Sequence, residues 1–262
     1  MRLLGTTITI LGLGLALIPA AEANPFMPSA RDQIKLGQRV AADVRKQNRI
    51  LPDSDPMVRT MRRIANRLLT DAAEERPQGP WQFTFDIIDK PEVNAFALPG
   101  GPIFFYRGLV ERFETEDQFA AVIAHEMAHI QRQHWARAYR DRQQGNLVLS
   151  LGLLLLNANR TAVDIAYITN EVVLTLPYSR RQETEADEVG MDTMVRAGFN
   201  PQGMLDVFGI LERSNSGGRP LEYLSTHPDT RRRAAHIENR IRRLNREFSP
   251  QTPLRFATST SG

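Results

Sequence analysis

The stretch Ala124-His125-Glu126-Met127-Ala128-His129 carries an HExxH pattern inside a segment, 116–134, that reads as one helix. With about 3.6 residues per turn, His125 and His129 differ by only about 40° around the axis, so both imidazoles leave one face toward one point. Glu126 stands about 100° from His125 and about 60° from His129, beside that point rather than on it. Two imidazoles with a flanking carboxylate suit a metal ion and a base acting on water. Three fixed letters arise by chance in roughly one chain per hundred of this length, so the context has to add weight. It does. Phe119, Ala120, Ala121, Val122, Ile123, Ala124, Ala128 and Ile130 make the helix apolar on nearly every side, hence buried, and buried His and Glu need partners because an unpaired charge there is costly.

Two His leave a catalytic zinc site one protein ligand short. The longer HExxHxxGxxH pattern is absent, and His134 and His236 sit among Arg, Gln and Asn, a setting that predicts solvated faces. A better source is Tyr178-Ser179-Arg180-Arg181-Gln182-Glu183-Thr184-Glu185-Ala186-Asp187, at the start of a later helix. Glu183 and Asp187 are four apart, so one carboxylate can reach the metal while the other accepts a hydrogen bond from a ligating imidazole. Glu185 is turned away. An acidic helix start is also favoured by the helix dipole alone, which is the bland reading of the same residues.

Outward from these motifs, helical spacing predicts helices at 30–48 and 55–73, the second marked by Met57, Met61, Ile64, Leu68 and Leu69. Residues 81–88 alternate with period two, as a half-buried strand does. Segments 93–98 and 103–106 flank Pro99-Gly100-Gly101-Pro102 and read as two strands joined by a tight turn. Beyond them, 108–113, 136–156, 161–176, 179–197, 201–213 and 230–248 read as helices. The expected fold class is α+β, mostly helical, with a small sheet of three or four strands.

Of the 262 residues, 42% are hydrophobic and 24% charged, a composition that excludes disorder and fibrous folds. The absence of Cys excludes thiol nucleophiles, zinc ribbons and iron–sulfur clusters, so a transition metal must sit on His and carboxylates. The net charge of +3 and the lack of a helix-turn-helix, aromatic-basic platform or phosphate loop exclude nucleic acid as a partner. Residues 1–23 have the layout of a signal peptide: Arg2, a short apolar core, then Ala21-Glu22-Ala23; an uncleaved anchor is the alternative. Either way the remainder is expected to be exported, as a domain over 24–250 and a flexible polar tail over 251–262. The run 147–156, opening on Leu147 and ending on Leu156, spans only about 15 Å as a helix. That is half a bilayer core, leaving a buried core helix or peripheral contact with a membrane surface.

The HExxH motif, the later ExxxD helix preceded by Ser179-Arg180, and Thr226-His227-Pro228 together resemble one gluzincin metallopeptidase family. It is that of HtpX, the CAAX prenyl proteases and the periplasmic protease BepA. Asn94-Ala95-Phe96-Ala97-Leu98-Pro99-Gly100-Gly101 is similar to the segment preceding the HExxH helix in the exported, BepA-like members. The resemblance spans 30–243. It implies that His125, His129 and Glu183 bind one Zn2+ per chain, that Glu126 is the base, and that Asp187 is an outer partner of a ligand. It places the family's His-Pro motif and following Arg on His227, Pro228 and Arg233. Exported members continue into a tetratricopeptide array, whereas 14 residues follow Phe248 here.

The expectation is an exported zinc endopeptidase for unfolded or misassembled polypeptides. His227 and Arg233 are the candidate donors to the developing oxyanion. His227 is alternatively a fourth ligand that closes the metal in a latent form. Asn94, Ala95, Phe96 and Ala97 are expected to border the cleft and pair with an extended substrate, unless they form a plain structural hairpin. A silent holdase of the same fold is the rival from another class, and a basic surface-binding helix over 231–246 is a third. Against that third reading, Ala234, Ile237, Ile241 and Leu244 interrupt the Arg residues as an amphipathic helix docked on a core requires.

Overall fold

The computed structural model describes residues 27–71, 79–142, 177–215 and 221–256. The leader-like segment 1–23, the run 147–156, the helix expected at 161–176 and the last residues of the tail lie outside the described residues. Helix α1, Ala30–Gln47, starts on Ser29, whose hydroxyl accepts from Asp32 N, and buries Leu36, Val40, Ala41 and Val44 at helical spacing. Helix α2, Pro56–Asp71, opens with Pro at its first position and with the Asp55 carboxylate accepting from Met57 N at 2.8 Å. It buries Val58, Met61, Ile64, Ala65 and Leu68.

Three strands follow: β1, Thr84–Ile88, β2, Ala95–Ala97, and β3, Pro102–Tyr106. Their order is β1-β3-β2, with β1 parallel and β2 antiparallel to the central strand. The strand expected at 81–88 is shorter, beginning at Thr84. Between β2 and β3 the turn relies on Gly101 at φ 143°, where a Cβ would lie 2.0 Å from Gln82 O. The central strand is buried on both faces. Ile103 and Phe105 join one apolar cluster with α2, while Phe104 joins another with Leu36, Val40, Trp135 and Tyr139.

Helix α3, Arg107–Val110, leads to α4, Glu116–Gln131, capped by Thr115 and carrying Glu116 and Asp117 in its first turn. Fourteen of its sixteen residues are buried, as the sequence predicts for a helix apolar all round. It ends three residues before the expected boundary at 134. Gln133 takes a left-handed φ of 54° and its side chain accepts from Gln33 Nε2, so the chain turns without a Gly or Pro signal into α5, His134–Arg142.

Next come α6, Arg180–Arg196, α7, Gln202–Asn215, α8, Glu222–Thr226, and α9, Thr230–Leu244. Ser179 and Gln182 form a capping box on α6. The short α8 has no counterpart among the expected elements. Helix α9 is amphipathic, docking Ile237 on the core with Ala234 and Ile241 at its margin, in line with the docked-helix reading of the Arg-rich segment. Among the described residues the result is nine helices and a three-stranded mixed sheet, the mostly helical α+β fold expected. None of those helices is long and apolar enough to cross a membrane.

The tail expected to be loose from residue 251 is instead docked as far as 256. Thr252 O accepts from Glu116 N, Leu254 N donates to Glu114 O, and the Asp117 carboxylate accepts from Thr252 N, all at 2.8 Å. The segment thereby satisfies backbone groups at the start of α4 that the helix cannot pair itself.

Candidate metal centre

Helices α4 and α6 must pack closely for their side chains to meet, and Gly190 permits it: a Cβ there would lie 3.1 Å from His125 N. The crossing brings Glu183 and Asp187 over the HExxH face. His227, on the loop after α8, enters from a third direction. His125 Nε2 and His129 Nε2 are 3.0 Å apart, and His227 Nδ1 lies 3.3 Å from His125 Nε2. Glu183 Oε1 is 3.1 Å from His227 Nδ1 and 3.3 Å from His129 Nε2. One donor atom from each of these four residues falls within 4.8 Å of the other three, and all four residues are buried.

The donor set fits a metal. Zinc bonds of about 2.0–2.1 Å in tetrahedral array put neighbouring donors about 3.3 Å apart; the four spacings given above run from 3.0 to 3.3 Å, and His125 Nε2 lies 3.7 Å from Glu183 Oε2. Each imidazole of the HExxH pair also has its other nitrogen engaged. His125 Nδ1 is 3.0 Å from Asp187 Oδ1, and His129 Nδ1 is 2.9 Å from His134 Nδ1. Such outer contacts fix tautomer and ring orientation. The sequence expectation for Asp187 is met by its position, whereas His134 is a correction: it is fully buried rather than on a solvated face. The left-handed turn at Gln133 swings it back under His129. His236 lies exposed, paired with Glu188, as expected.

Glu126 is fully buried beside the four donors. Its Oε1 accepts from the Tyr223 hydroxyl at 3.4 Å, and its Oε2 is buried with no hydrogen-bond partner. Tyr223 stacks on His227 with ring centres 4.4 Å apart, and Tyr178 stacks on His129 at 4.0 Å. Neither tyrosine is singled out by the sequence, since a lone aromatic beside a cap or in a five-residue helix carries no spacing signal.

Arg233, the candidate oxyanion donor, is committed elsewhere. Its Nε and Nη2 donate to the two oxygens of Asp187 at 2.7 Å, and Nη1 stands 2.6 Å from Glu183 Oε2. That last contact is an ion pair without an aligned hydrogen bond. Its buried guanidinium holds carboxylates, at the wall of a recess that it lines with His125, Asp187 and Tyr223.

These contacts set the charges. Burial alone would raise Glu183, but the charges of His227 and Arg233 hold it well below the usual carboxylate range. Burial likewise opposes ionisation of Asp187, and Arg233 overcomes it. Burial pushes His129 well below the ordinary imidazole value and His134 down to about 4, so both rings are neutral near pH 7. Against burial, the charges of Glu183 and Glu126 raise His227.

Asn94, Ala95, Phe96 and Ala97 lie in and beside β2, at the sheet edge as expected, with Ala95 facing Phe105 and Ala97 facing Ile103 on β3. A recess of about 210 Å³ is lined by Ala97 and Leu98 from this edge and by His129 and Tyr178 from the side of the four donors.

A family model for peptidase family M48 matches residues 58–241. The beta-barrel assembly-enhancing protease of Escherichia coli (strain K12) is 29% identical over 260 residues, covering 93% of this chain and 53% of that protein. The mitochondrial metalloendopeptidase OMA1 is 28% identical over 252 residues in Schizosaccharomyces pombe (strain 972 / ATCC 24843), covering 94% of this chain and 69% of that protein. In Saccharomyces cerevisiae (strain ATCC 204508 / S288c) it is 30% identical over 243 residues, covering 87% and 69%. The chain spans about half the length of the beta-barrel assembly-enhancing protease. With HExxH on α4, the Glu183–Asp187 helix across it, and a family match that takes in both, the chain belongs to peptidase family M48.

Proposed function

We propose that this chain is an exported zinc endopeptidase that cleaves unfolded or misassembled polypeptides and rests in a latent form. The observation that carries the reading is the buried oxygen Glu126 Oε2, with no hydrogen-bond partner, beside four converging donor atoms. His125, His129 and Glu183 would hold one Zn2+. Bound there, zinc acts as a Lewis acid that polarises a carbonyl and lowers the pKa of water. Glu126 Oε2 takes the proton from the attacking water and passes it to the leaving nitrogen, its site kept dry by the surrounding apolar helix.

His227 Nδ1 faces the same point as the three ligand atoms, which supports its role as a fourth ligand closing the resting site. With its loop displaced, the Tyr223 hydroxyl beside Glu126 is left as the donor to the oxyanion; His227 as that donor is the alternative to its capping role. The edge of β2 at Asn94 to Ala97 pairs with an extended substrate backbone, which gives affinity with little sequence preference and so suits unfolded chains. Export rests on the leader-like residues 1–23.

Metal analysis of the purified protein, together with digestion of unfolded casein before and after chelation, tests this reading. One zinc per chain and chelator-sensitive cleavage are expected. A metal-free protein, or cleavage indifferent to chelation, overturns it.

A further inference from the structure

We infer that His134, with Glu185 behind it, is a positioning residue that sets the tautomer and ring orientation of His129. The inference rests on the reading of His129 as a metal ligand. His134 Nδ1 lies 2.9 Å from His129 Nδ1, while its Nε2 lies 3.2 Å from Glu185 Oε2. A carboxylate only accepts, so the proton of His134 sits on Nε2 and is donated to Glu185. His134 Nδ1 is therefore a bare acceptor. His129 must then carry its own proton on Nδ1 and donate it to His134, leaving the Nε2 lone pair of His129 aimed at the shared donor point. One chain of hydrogen bonds, Glu185 to His134 to His129, thus specifies which nitrogen binds.

The chain is anchored independently of the metal. Gln182 Nε2 donates to the His134 carbonyl at 2.9 Å, tying the start of α6 to the start of α5. Arg137 Nη1 donates to Glu185 Oε2 at 3.0 Å, and Arg132 pairs with Glu185 Oε1 at 3.6 Å. Glu185 is thus held by two arginines, and its carboxylate is presented to His134 whether or not His129 is occupied. Tyr178, stacked on His129 and 6.1 Å from the His134 ring centre, closes the remaining face.

The test is the zinc affinity of the full chain, measured by competition with a chromophoric chelator, beside the melting temperature of the metal-free protein. His134→Ala is expected to weaken zinc binding about 10–100-fold, the usual cost of losing such a partner. His134→Asn, whose amide oxygen can accept from His129, is expected to recover most of that loss, whereas His134→Phe is not. Glu185→Ala is expected to weaken binding by less, and the double variant to be no weaker than His134→Ala, because Glu185 acts through His134. Wild-type affinity in His134→Ala overturns the inference, as does an Asn variant as weak as Phe at equal metal-free stability. If His134→Ala does not fold, unchanged affinity in Glu185→Ala overturns it alone. Wild-type protein that binds no zinc brings down the metal-site reading itself, a result distinct from any of these.

Discussion

His125 and His129 stand one turn apart on α4 and point at the same place, yet they are supported by opposite means. His125 leans on Asp187, a carboxylate only 1% exposed and clamped by Arg233 through two hydrogen bonds. His129 leans on the imidazole of His134, which passes the contact to Glu185, 29% exposed and shared with Arg132 and Arg137. The first support is a sealed ion pair and the second a hydrogen-bond chain that reaches the surface. With His125 and His129 as the proposed ligands, both supports would leave a bare Nε2, an orientation set by the geometry of the second nitrogen and not by the chemical type of its partner. They differ in what each costs to break.

The largest effect is expected at Glu126, which belongs to neither support. Glu126→Gln should retain stoichiometric zinc while proteolysis of casein falls about 10²–10⁴-fold, the usual worth of a general base. Cleavage at the wild-type rate would show that the proton goes elsewhere.

Asp187→Ala strips Arg233 of its bidentate partner inside the core. Urea unfolding of the metal-free protein should then show a loss of about 3–5 kcal/mol. Glu185→Ala, on the solvent side, should cost no more than about 1 kcal/mol in the same assay. Equal losses would erase the distinction between sealed and open supports.

Acid separates the two supports as well. Burial places His134 at about 4 in the folded chain, below the ordinary 6.5, so the unfolded chain binds the extra proton between those values. The His134 contribution to the stability of the metal-free protein should therefore be constant above about pH 6.5 and turn destabilising as the pH drops toward 4. Asp187 is shifted below its ordinary 3.8, so its contribution is lost only as the pH falls beneath that value. His129 titrates in the same sense as His134 and His227 in the opposite one, so the informative quantity is the difference between wild type and His134→Asn. Identical stability profiles for the two across pH 4–6.5 would remove His134 from the acid response.

The smallest effect concerns the loop that carries His227. His227→Ala should raise basal proteolysis about tenfold if nine chains in ten rest capped. A fall in activity would instead assign His227 to the transition state.

Apolar residues on every side were enough to identify α4 as a buried helix, and the 3.6-residue repeat, which converts spacing into direction, faced His125 toward His129. The same logic made Glu183 and Asp187 one unit. What the sequence did not decide was which distant groups meet. His134 reads as a surface residue among Arg and Gln, and its burial depends on a left-handed turn at Gln133 that no Gly or Pro announces. Tyr178 and Tyr223 acquire their places only when separate helices bring them over the imidazoles. Arg233 could equally have faced a cleft, and packing of α9 against α6 turned it onto Asp187. Residues 251–256 look loose in composition but pair with the start of α4, whose orphan amides ask for partners from anywhere in the chain. Local repeats fix direction along one element, whereas contacts between elements depend on crossing angles and turns that sum over the whole fold, and those existed only once the chain had packed.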